Sequence, residues 1–446
     1  MKKNSSHVLQ HILWRGLYFF SILLINIGIA RFFAAEKSGQ IFFIVNNLAL
    51  ALLVVSISLE SGATFYIASG KLEASLMANF CLIWAMGASL VALSGWGTIL
   101  YFLHSVYLKD TIFLASSFLF ILGILFTTYF TSLFYAKKEF GLPNKILFLV
   151  NMLLIVFLVF GKNNSFIRTH FIEVYFFSFF LQGMLLRLFF FGKYSYSGKL
   201  LFPPGPILKI VIQYSLFALV ANLVYFLVNR IDYWFVQYYC PAKDLGNYIQ
   251  ASKLAQMLIT LPAILGSTLF PIFSSQDKSV NNSQLSVFIR VLLWINGGIC
   301  ILILAVGWYF IPLVFGNSFN KMYLLFVFLI PGILSITMNY PLASWFSATN
   351  RMGINLRSSI LALIVICIGD LLALPYFGII AAPIVSSAGY FSYYCYTVYM
   401  YRKEYAVPWK EFLLIRKSDI NRIIRSIVSK NDEPITENSI VQNSTT

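Results

Sequence analysis

The sequence predicts an all-α integral membrane protein with about twelve transmembrane helices, arranged as two six-helix lobes around a central cavity. Composition is the first reason, because 59% of the 446 residues are apolar and only 11% are charged, whereas soluble domains carry about 25% charged residues. The second reason is that apolar runs of the ~20 residues that cross a bilayer recur along the whole chain. These features exclude a cytosolic enzyme, a nucleic-acid-binding protein and a secreted disulfide-linked domain.

The apolar runs, taken in order, predict twelve helices. They lie at about residues 11–33, 40–67, 75–103, 111–135, 146–160, 171–191, 207–238, 246–273, 285–312, 322–348, 356–374 and 378–401. The connections between them are short, so no domain outside the membrane is predicted to hold a catalytic centre. We therefore expect a protein that is not an enzyme.

The chain divides into four parts. We predict an N-terminal six-helix lobe at residues 1–191, a cytoplasmic linker at 192–206, a C-terminal six-helix lobe at 207–401, and a tail at 402–446 that forms a basic amphipathic helix and a disordered end. The linker contains Pro203-Pro204-Gly205-Pro206, which is typical of a turn. An offset of 207 positions sets Gly39 on Gly246 and Asn46 on Lys253, with no gap through the second helix of each half. Transporters built from parallel repeats bind their substrate between the halves.

The net charge of +16 is explained by its placement. Most lysine and arginine residues fall in alternate connections and in the tail, which by the positive-inside rule places both termini in the cytoplasm. In the tail, apolar residues from Trp409 to Lys430 recur at helical spacing among basic residues. This pattern predicts a helix lying on the anionic inner leaflet, with an ordinary solvated helix as the alternative.

Motifs for cofactors are absent. The sequence has no phosphate-binding loop, and its five cysteines are scattered without metal-ligand or disulfide spacing. His7 and His11 stand four residues apart but lack a third ligand. No cofactor and no metal are therefore expected.

Two cations lie at membrane depth in the second half. Arg230 and Lys253 fall on consecutive predicted helices, each about 10 to 12 Å below the outer surface at 1.5 Å per residue. A charge at such depth costs at least ~2.5 kcal/mol and normally faces a cavity or a partner. We expect both to face one cavity that receives an anionic ligand, with structural charge pairing as the alternative. Asp232 is about 200° from Arg230 on a helix, so it could serve Lys253 or a neighbouring span instead.

Two further charges lie towards the inner side. Arg15 is in the first turns of the first helix, where snorkelling to the headgroups competes with ligand contact. Glu60 lies deep in the second helix and is a candidate proton carrier or, with Arg15, a gate. Ion coupling or gating is thus assigned to Glu60 and Asp232, and substrate binding to Arg230, Lys253 and Arg15.

Several short segments resemble one family in their order and spacing over residues 10–400. They are Ile29-Ala30-Arg31-Phe32-Phe33 with Gly39, Asn229-Arg230-Ile231-Asp232, Leu245-Gly246-Asn247-Tyr248, Pro271 to Ser275, Phe315-Gly316-Asn317-Ser318-Phe319 and Ser347-Ala348-Thr349-Asn350-Arg351. Together they resemble the polysaccharide-export flippases of the multidrug/oligosaccharidyl-lipid/polysaccharide (MOP) exporter superfamily. Asn46, in the slot that matches Lys253, departs from a symmetric cationic site.

The resemblance implies a flippase in the bacterial inner membrane. It would carry an undecaprenyl-pyrophosphate-linked oligosaccharide, such as an O-antigen or capsule repeat unit, from the cytoplasmic to the outer leaflet by alternating access. Arg230 and Lys253 would hold the pyrophosphate, and Arg15 would meet it from the inner side. The implied partners are the lipid-linked oligosaccharide and the lipid bilayer, with a polysaccharide polymerase and chain-length proteins as candidates.

Two other functions stay open. A drug/cation antiporter of the same superfamily would require an anionic lumen, and the embedded charges here are mostly basic. A membrane polysaccharide polymerase would be an enzyme, and the short outer connections disfavour it.

Overall fold

The computed structural model describes residues 2–102, 110–161, 164, 167, 169–194, 201–275 and 278–405. The amphipathic helix predicted at 409–430 lies outside these residues. Thirteen α-helices follow one another in the described ranges. They are α1 (Lys2–Ser56), α2 (Leu59–Ala68), α3 (Ala74–Phe102), α4 (Thr111–Ala136), α5 (Gly141–Phe160), α6 (Phe171–Lys193), α7 (Gly205–Arg230), α8 (Asp232–Tyr239), α9 (Ala242–Ser275), α10 (Lys278–Phe315), α11 (Met322–Ala348), α12 (Met352–Phe377) and α13 (Ala381–Tyr405).

The described residues contain nine helical segments that are long and apolar enough to cross a membrane. Two of them, Leu13–Ser56 with 44 residues and Met352–Tyr405 with 54 residues, exceed the ~20 residues of one crossing twofold. The prediction of an all-helical, multi-pass membrane protein is confirmed. The number twelve and the division into two lobes stay predictions.

The first helix folds back on itself at one residue. Ala34 has φ 56° and ψ −177°, and helix continues on both sides of it. Residues on the two arms, Asn26 and Phe42, contact the same Lys253 ammonium, although a straight helix would separate them by about 24 Å. The break predicted between residues 33 and 40 is therefore found at Ala34, where a single residue makes the turn in place of a longer connection.

The predicted helix 40–67 is interrupted in its middle. Ile57 and Ser58 have φ of 49° and 50°, a left-handed conformation that is rare for any residue with a Cβ and strained for a β-branched one. The break separates α1 from α2. The sequence predicts a continuous helix here, because no glycine or proline stands at the break.

Side chains from neighbouring helices stabilise this break. The indole of Trp84 on α3 donates to the backbone carbonyl of Val55 at 3.0 Å. The hydroxyl of Tyr129 on α4 donates to the backbone carbonyl of Ser56 at 3.2 Å. From α7, Asn222 donates to the Ser58 hydroxyl at 3.0 Å. The contacts of Trp84 and Tyr129 satisfy backbone carbonyl groups that a helix interruption would otherwise leave unpaired inside the membrane.

The predicted helix 207–238 continues from α7 into α8. Ile231, between Arg230 at the end of α7 and Asp232 at the start of α8, keeps a helical φ of −62° and ψ of −33°. Arg230 and Asp232 stand two residues apart on this helix, so their side chains point to different neighbours.

The two halves of the chain touch where α1 crosses α9. A Cβ on Gly246 would overlap the carbonyl oxygen of Ala35, and a Cβ on Gly39 would lie 2.7 Å from the Cα of Gly246 and 3.4 Å from the carbonyl oxygen of Ala242. These are the residues that the 207-residue offset pairs, because Ala35 maps to Ala242 and Gly39 to Gly246. Small residues four apart let the helix backbones approach closely in a membrane. We call this end of the bundle the crossing end.

Polar contacts reinforce the crossing end. The guanidinium of Arg31 donates to the carbonyl of Val314 at 2.7 Å, and the amide of Ala35 donates to the Ser318 hydroxyl at 3.1 Å. Asn247 in turn donates to the carbonyl of Ser318 at 3.2 Å. The residues 314–318 thus hold both α1 and α9.

A second contact between the halves joins α2 to α7. Gly62 lies against α7, so that a Cβ there would sit 2.8 Å from the carbonyl oxygen of Val211 and would overlap the hydroxyl of Ser215. Nearby, the rings of Phe65 and Tyr214 stack with centroids 5.1 Å apart. The second span of the chain therefore contacts the second half at both of its ends.

Candidate functional site

A cavity of about 760 Å³ lies between helices of both halves of the chain. Its walls come from α1, α2 and α4 of the first half and from α7, α9 and α11 of the second. The lining residues are Arg15, Ala49, Leu52, Leu53, Ser56, Glu60, Ile124, Leu125, Thr128, Asn222, Tyr225, Phe226, Asn229, Arg230, Gln256, Ile259, Thr260, Ala263 and Tyr340. This volume is typical of a pocket that binds a small-molecule ligand.

The charges of the lining are two guanidinium groups and one carboxylate, from Arg15, Arg230 and Glu60. None of the ion pairs formed between described residues includes them. The wall therefore carries a net positive charge that the described side chains leave unneutralised. An anionic ligand fits this balance better than a cationic one.

Arg230 reaches the cavity from the end of α7. Its Nη1 donates to Oδ1 of Asn46 on α1 at 3.3 Å, and its Cζ lies 5.0 Å from the ring centroid of Phe226. A guanidinium has five N–H donors, so one long bond to a neutral amide leaves most of them available. The half-buried Arg230 is thus prepared to bind an anion in a partly dehydrated site.

The two arginines of the cavity lie at different depths, which can be measured along α1. Asn46, the partner of Arg230, is twelve residues from Ala34, which is about 18 Å of helix, and Arg15 is nineteen residues away, or about 28 Å. Arg15 is exposed and lies 5.9 Å from the ring centroid of Phe19. We call the end of the bundle at Arg15 and Glu60 the cavity end. Arg15 lies near the mouth there, and Arg230 lies deeper.

Glu60 stands in the first turn of α2, directly after the break at Ile57 and Ser58. The side chain is half-buried, and its Oε2 is enclosed without a hydrogen-bond partner among the described residues. The break thus places a carboxyl group in the cavity wall at a point where the backbone is already distorted. It forms no ion pair with Arg15 in this conformation.

Polar and aromatic side chains continue the wall along one face of α7. Asn222, Tyr225 and Asn229 recur at helical spacing on the face that carries Arg230. The hydroxyl groups of Tyr225 and Tyr340 lie 3.1 Å apart. Amide and aromatic groups of this kind can bind the hydroxyls and ring faces of a sugar.

The structure places Lys253 outside the lining of this cavity. Its ammonium donates to Oδ1 of Asn26 at 2.8 Å and lies 3.0 Å from the ring centroid of Phe42. Both partners belong to α1. A small pocket of about 10 Å³ adjoins it, so Arg230 and Lys253 do not share a cavity in this conformation. The assignment of Lys253 to the substrate stays a prediction.

Asp232 is directed away from the cavity and pairs with neighbouring spans. It is 2% exposed and accepts hydrogen bonds from the hydroxyl of Tyr248 on α9 and, at 2.9 Å, from that of Ser386 on α13. Lys253 does not contact it. The sequence left Lys253 and a neighbouring span as alternative partners of Asp232, and the structure shows a neighbouring span.

Asp370 on α12 is a buried carboxyl group whose position the sequence interpretation missed. It is 0% exposed, and neither of its oxygens has a hydrogen-bond partner in the described part of the chain. Its place inside the second half depends on the rotation of α12, which spacing alone does not define.

The comparisons with known proteins come from sequence and from structure. Residues 176–324 match a family model described as a polysaccharide biosynthesis protein. This segment includes Arg230, Asp232 and Lys253. No curated protein sequence matches the chain significantly.

Solved structures match over nearly the whole chain. The lipid II flippase MurJ in an inward closed conformation has a TM-score of 0.69 and 14% identity, covering 96% of this chain and 93% of that one. An inward-facing multidrug resistance MATE family transporter of the MOP superfamily has a TM-score of 0.65 and 12% identity, with coverage of 94% and 96%.

A third match is a MOP superfamily transporter from Pyrococcus furiosus, whose binding pocket is described as having reverse polarity that suggests a different function. Its TM-score is 0.59 and its identity 12%, with 89% of this chain and 94% of that one covered. The three structures show that the chain has the fold of MOP superfamily transporters. The resemblance predicted from the sequence motifs is confirmed at the level of the fold.

Proposed function

We propose that this protein is a flippase that carries an undecaprenyl-pyrophosphate-linked oligosaccharide repeat unit from the cytoplasmic to the outer leaflet of the bacterial inner membrane. The observation that supports this most is the Arg230 guanidinium. It lines a cavity shared by both halves of the chain, and no described carboxylate pairs with it. Such a group suits a ligand with a compact, highly charged anion.

The physical requirement for such a carrier is the solvation of the pyrophosphate. An ion moved through hydrocarbon without partners loses its hydration at a prohibitive cost. Guanidinium groups offset that cost with charge-assisted hydrogen bonds in a planar geometry that matches phosphate. Arg15 near the mouth would make the first contact, and the deeper Arg230 would receive the pyrophosphate from it.

The rest of the cavity suits the saccharide. The face of α7 with Asn222, Tyr225 and Asn229 adjoins Arg230, so sugars attached to the pyrophosphate would meet amide and aromatic groups. No catalytic step is required of these residues, because transport leaves every covalent bond of the substrate intact.

Alternating access would use the two predicted lobes, residues 1–191 and 207–401, as moving bodies. The positive-inside rule places both termini, and with them the cavity end, on the cytoplasmic side. The crossing at Gly39 and Gly246 would then close the outer side. Separation of this crossing would open the cavity outward, while the lipid tail stays in the bilayer.

Buried carboxyl groups supply candidates for ion coupling. Asp232 and Asp370 are enclosed on α8 and α12, and each has at least one oxygen without a hydrogen-bond partner among the described residues. A proton or a bound cation stabilises a buried carboxyl group whose oxygens lack donors, because an unpaired charge there is strongly disfavoured. Glu60, in the first half of the chain, is a third candidate.

Replacing Asp370 with asparagine is expected to lower transport at least tenfold and to abolish its dependence on an imposed ion gradient, because the amide cannot exchange a proton or bind a monovalent cation with comparable strength. The measurement is flipping in proteoliposomes with a proton or sodium gradient. Glu73→Gln, at an exposed carboxylate in the connection before α3, is the matched control. If Asp370→Asn transports with undiminished ion dependence, coupling does not involve this residue.

A drug/cation antiporter is the main alternative, because MATE transporters share the fold. Two guanidinium groups against one carboxylate in the cavity would repel a cationic drug rather than attract it. A membrane polysaccharide polymerase would instead require a catalytic group in a long outer connection.

The deciding experiment measures which leaflet accumulates lipid-linked repeat units in a strain lacking this protein. We expect accumulation in the inner leaflet, with restoration of surface polysaccharide by the intact gene. Accumulation in the outer leaflet would indicate a polymerase and contradict the proposal. Unchanged lipid-linked intermediates together with increased drug sensitivity would indicate an antiporter.

A further inference from the structure

We infer that Lys253 is a second anion-binding group that becomes accessible only when the crossing end opens, and that it receives the pyrophosphate from Arg230. This inference rests on the proposed function and states the order in which the two cations bind the pyrophosphate. In the present conformation Lys253 is half-buried, its ammonium contacts Asn26 and Phe42, and it does not line the cavity. Arg230, in contrast, lines the open cavity.

The face of α9 that carries Lys253 has two parts. Gly246, Gln250 and Lys253 follow one another at helical spacing, and all three contact α1. Beyond Lys253, Gln256 and Thr260 continue along the helix and line the cavity. The same side of α9 therefore packs against α1 near the crossing end and lines the cavity near the cavity end.

Separation of α1 from α9 would exchange these roles. The contacts nearer the crossing end, between Gly39 and Gly246 and between Ala35 and Ser318, are the ones that must part for outward opening. Because Lys253 contacts the same arms of α1, that movement removes Asn26 and Phe42 from the ammonium. The ammonium would then face the outward-open cleft.

The partners of Lys253 hold it in place but do not neutralise it. One neutral amide oxygen and one aromatic face surround the ammonium, and no described carboxylate lies within ion-pair distance. A cation–π contact and a single hydrogen bond stabilise an ammonium only partly when it is removed from water. A pyrophosphate arriving in the opened cleft would bind it more strongly than these partners do.

The positions of the two cations fit a transfer. Asn26 and Phe42 are both eight residues from Ala34, which places Lys253 about 12 Å of helix from the turn, whereas Asn46 places Arg230 about 18 Å from it. Lys253 is thus about 6 Å nearer the crossing end. A pyrophosphate moving outward would leave Arg230 and reach Lys253 next.

The test separates binding from transport. Undecaprenyl pyrophosphate is the probe for binding to the purified full-length protein, and flipping of the same lipid is measured in proteoliposomes. For Lys253→Met we expect binding within twofold of wild type, because the cavity end does not use this residue, and flipping slower by about tenfold or more. Lys253→Arg, which keeps the charge, should flip at nearly the wild-type rate.

Asn26→Ala is the matched variant that removes the covering contact but keeps the ammonium. If Lys253 binds the pyrophosphate, Asn26→Ala flips at least as well as wild type. If Lys253 only joins the helices, Asn26→Ala and Lys253→Met slow flipping alike, which overturns the inference. Wild-type flipping by Lys253→Met overturns it too. Lys253→Gln repeats the test with a polar side chain, so that a folding defect of the methionine variant does not decide the result.

Failure of the proposed function has a different signature. In that case the wild-type protein neither binds undecaprenyl pyrophosphate nor flips it, and all the Lys253 variants behave alike. Failure of the inference alone leaves wild-type binding and flipping intact.

Discussion

Replacing Arg230 with methionine is expected to weaken binding of undecaprenyl pyrophosphate by about tenfold to a hundredfold, which corresponds to the loss of hydrogen bonds to a charged group. Arg230 is the deeper of the two arginines in the cavity, and its only described hydrogen bond goes to the neutral Asn46. Without the guanidinium, the pyrophosphate would have no fixed cation at that depth. The measurement is the dissociation constant of the purified protein, followed by flipping in proteoliposomes.

Lys209→Met is the control, because it removes an exposed cation from the same helix without touching the cavity. Arg230→Lys should retain an intermediate affinity, since an ammonium keeps the charge but not the planar donor pair. Equal affinities for wild type, Arg230→Met and Lys209→Met would show that the cavity does not bind the pyrophosphate through this residue.

Replacing Gly246 with alanine is expected to reduce flipping strongly and to destabilise the closed crossing by about 1 to 3 kcal/mol, as overpacking does in tightly packed interiors. The added methyl group would overlap the carbonyl oxygen of Ala35, which is backbone and cannot rotate away. The crossing would remain partly open, so the cavity could not alternate. Flipping and the midpoint of thermal unfolding are the measurements.

Gly298→Ala is the matched control within a long helix. A Cβ at Gly298 meets no atom within 4 Å, and glycine in a helix interior is less stable than alanine by roughly 0.5–1 kcal/mol. Gly298→Ala should therefore leave flipping unchanged and stability equal or higher. If Gly246→Ala behaved like Gly298→Ala, the crossing would not be a closed contact that transport depends on.

Local signals located helices well wherever a bounded apolar run coincided with an ordinary helix end. The helix predicted at 111–135 spans Thr111–Ala136. Asp110 precedes it and accepts hydrogen bonds from the amides of Ile112 and Phe113 at 3.0 and 3.1 Å, as an N-cap does. In such cases the signals that begin and end a helix lie within a few residues of its boundary.

One interruption escaped prediction because its causes are distant in sequence. The break at Ile57 and Ser58 depends on donors from α3, α4 and α7, namely Trp84, Tyr129 and Asn222. None of these is recognisable from residues next to the break. The distortion nevertheless directs Glu60, which from the sequence was judged only by its depth, into the cavity wall.

For the two cations, the sequence indicated their depth in the membrane but not the direction of their side chains. Counting residues placed Arg230 and Lys253 at similar depths, and this was sufficient to single them out. Which side of the helix faces the cavity depends on packing: the end of α7 turns Arg230 towards Asn46, whereas α1 covers Lys253. Asp370 was missed for the same reason.

Hydropathy, charge placement and motif order were sufficient for the class of protein, for the superfamily resemblance and for naming the three charged residues that line the cavity, because each is a property of residues close together in the chain. The location of the cavity, the exclusion of Lys253 from it and the contact between Gly39 and Gly246 follow from tertiary packing. Helix rotation and crossing are set by contacts between residues hundreds of positions apart, and local spacing contains no information about them.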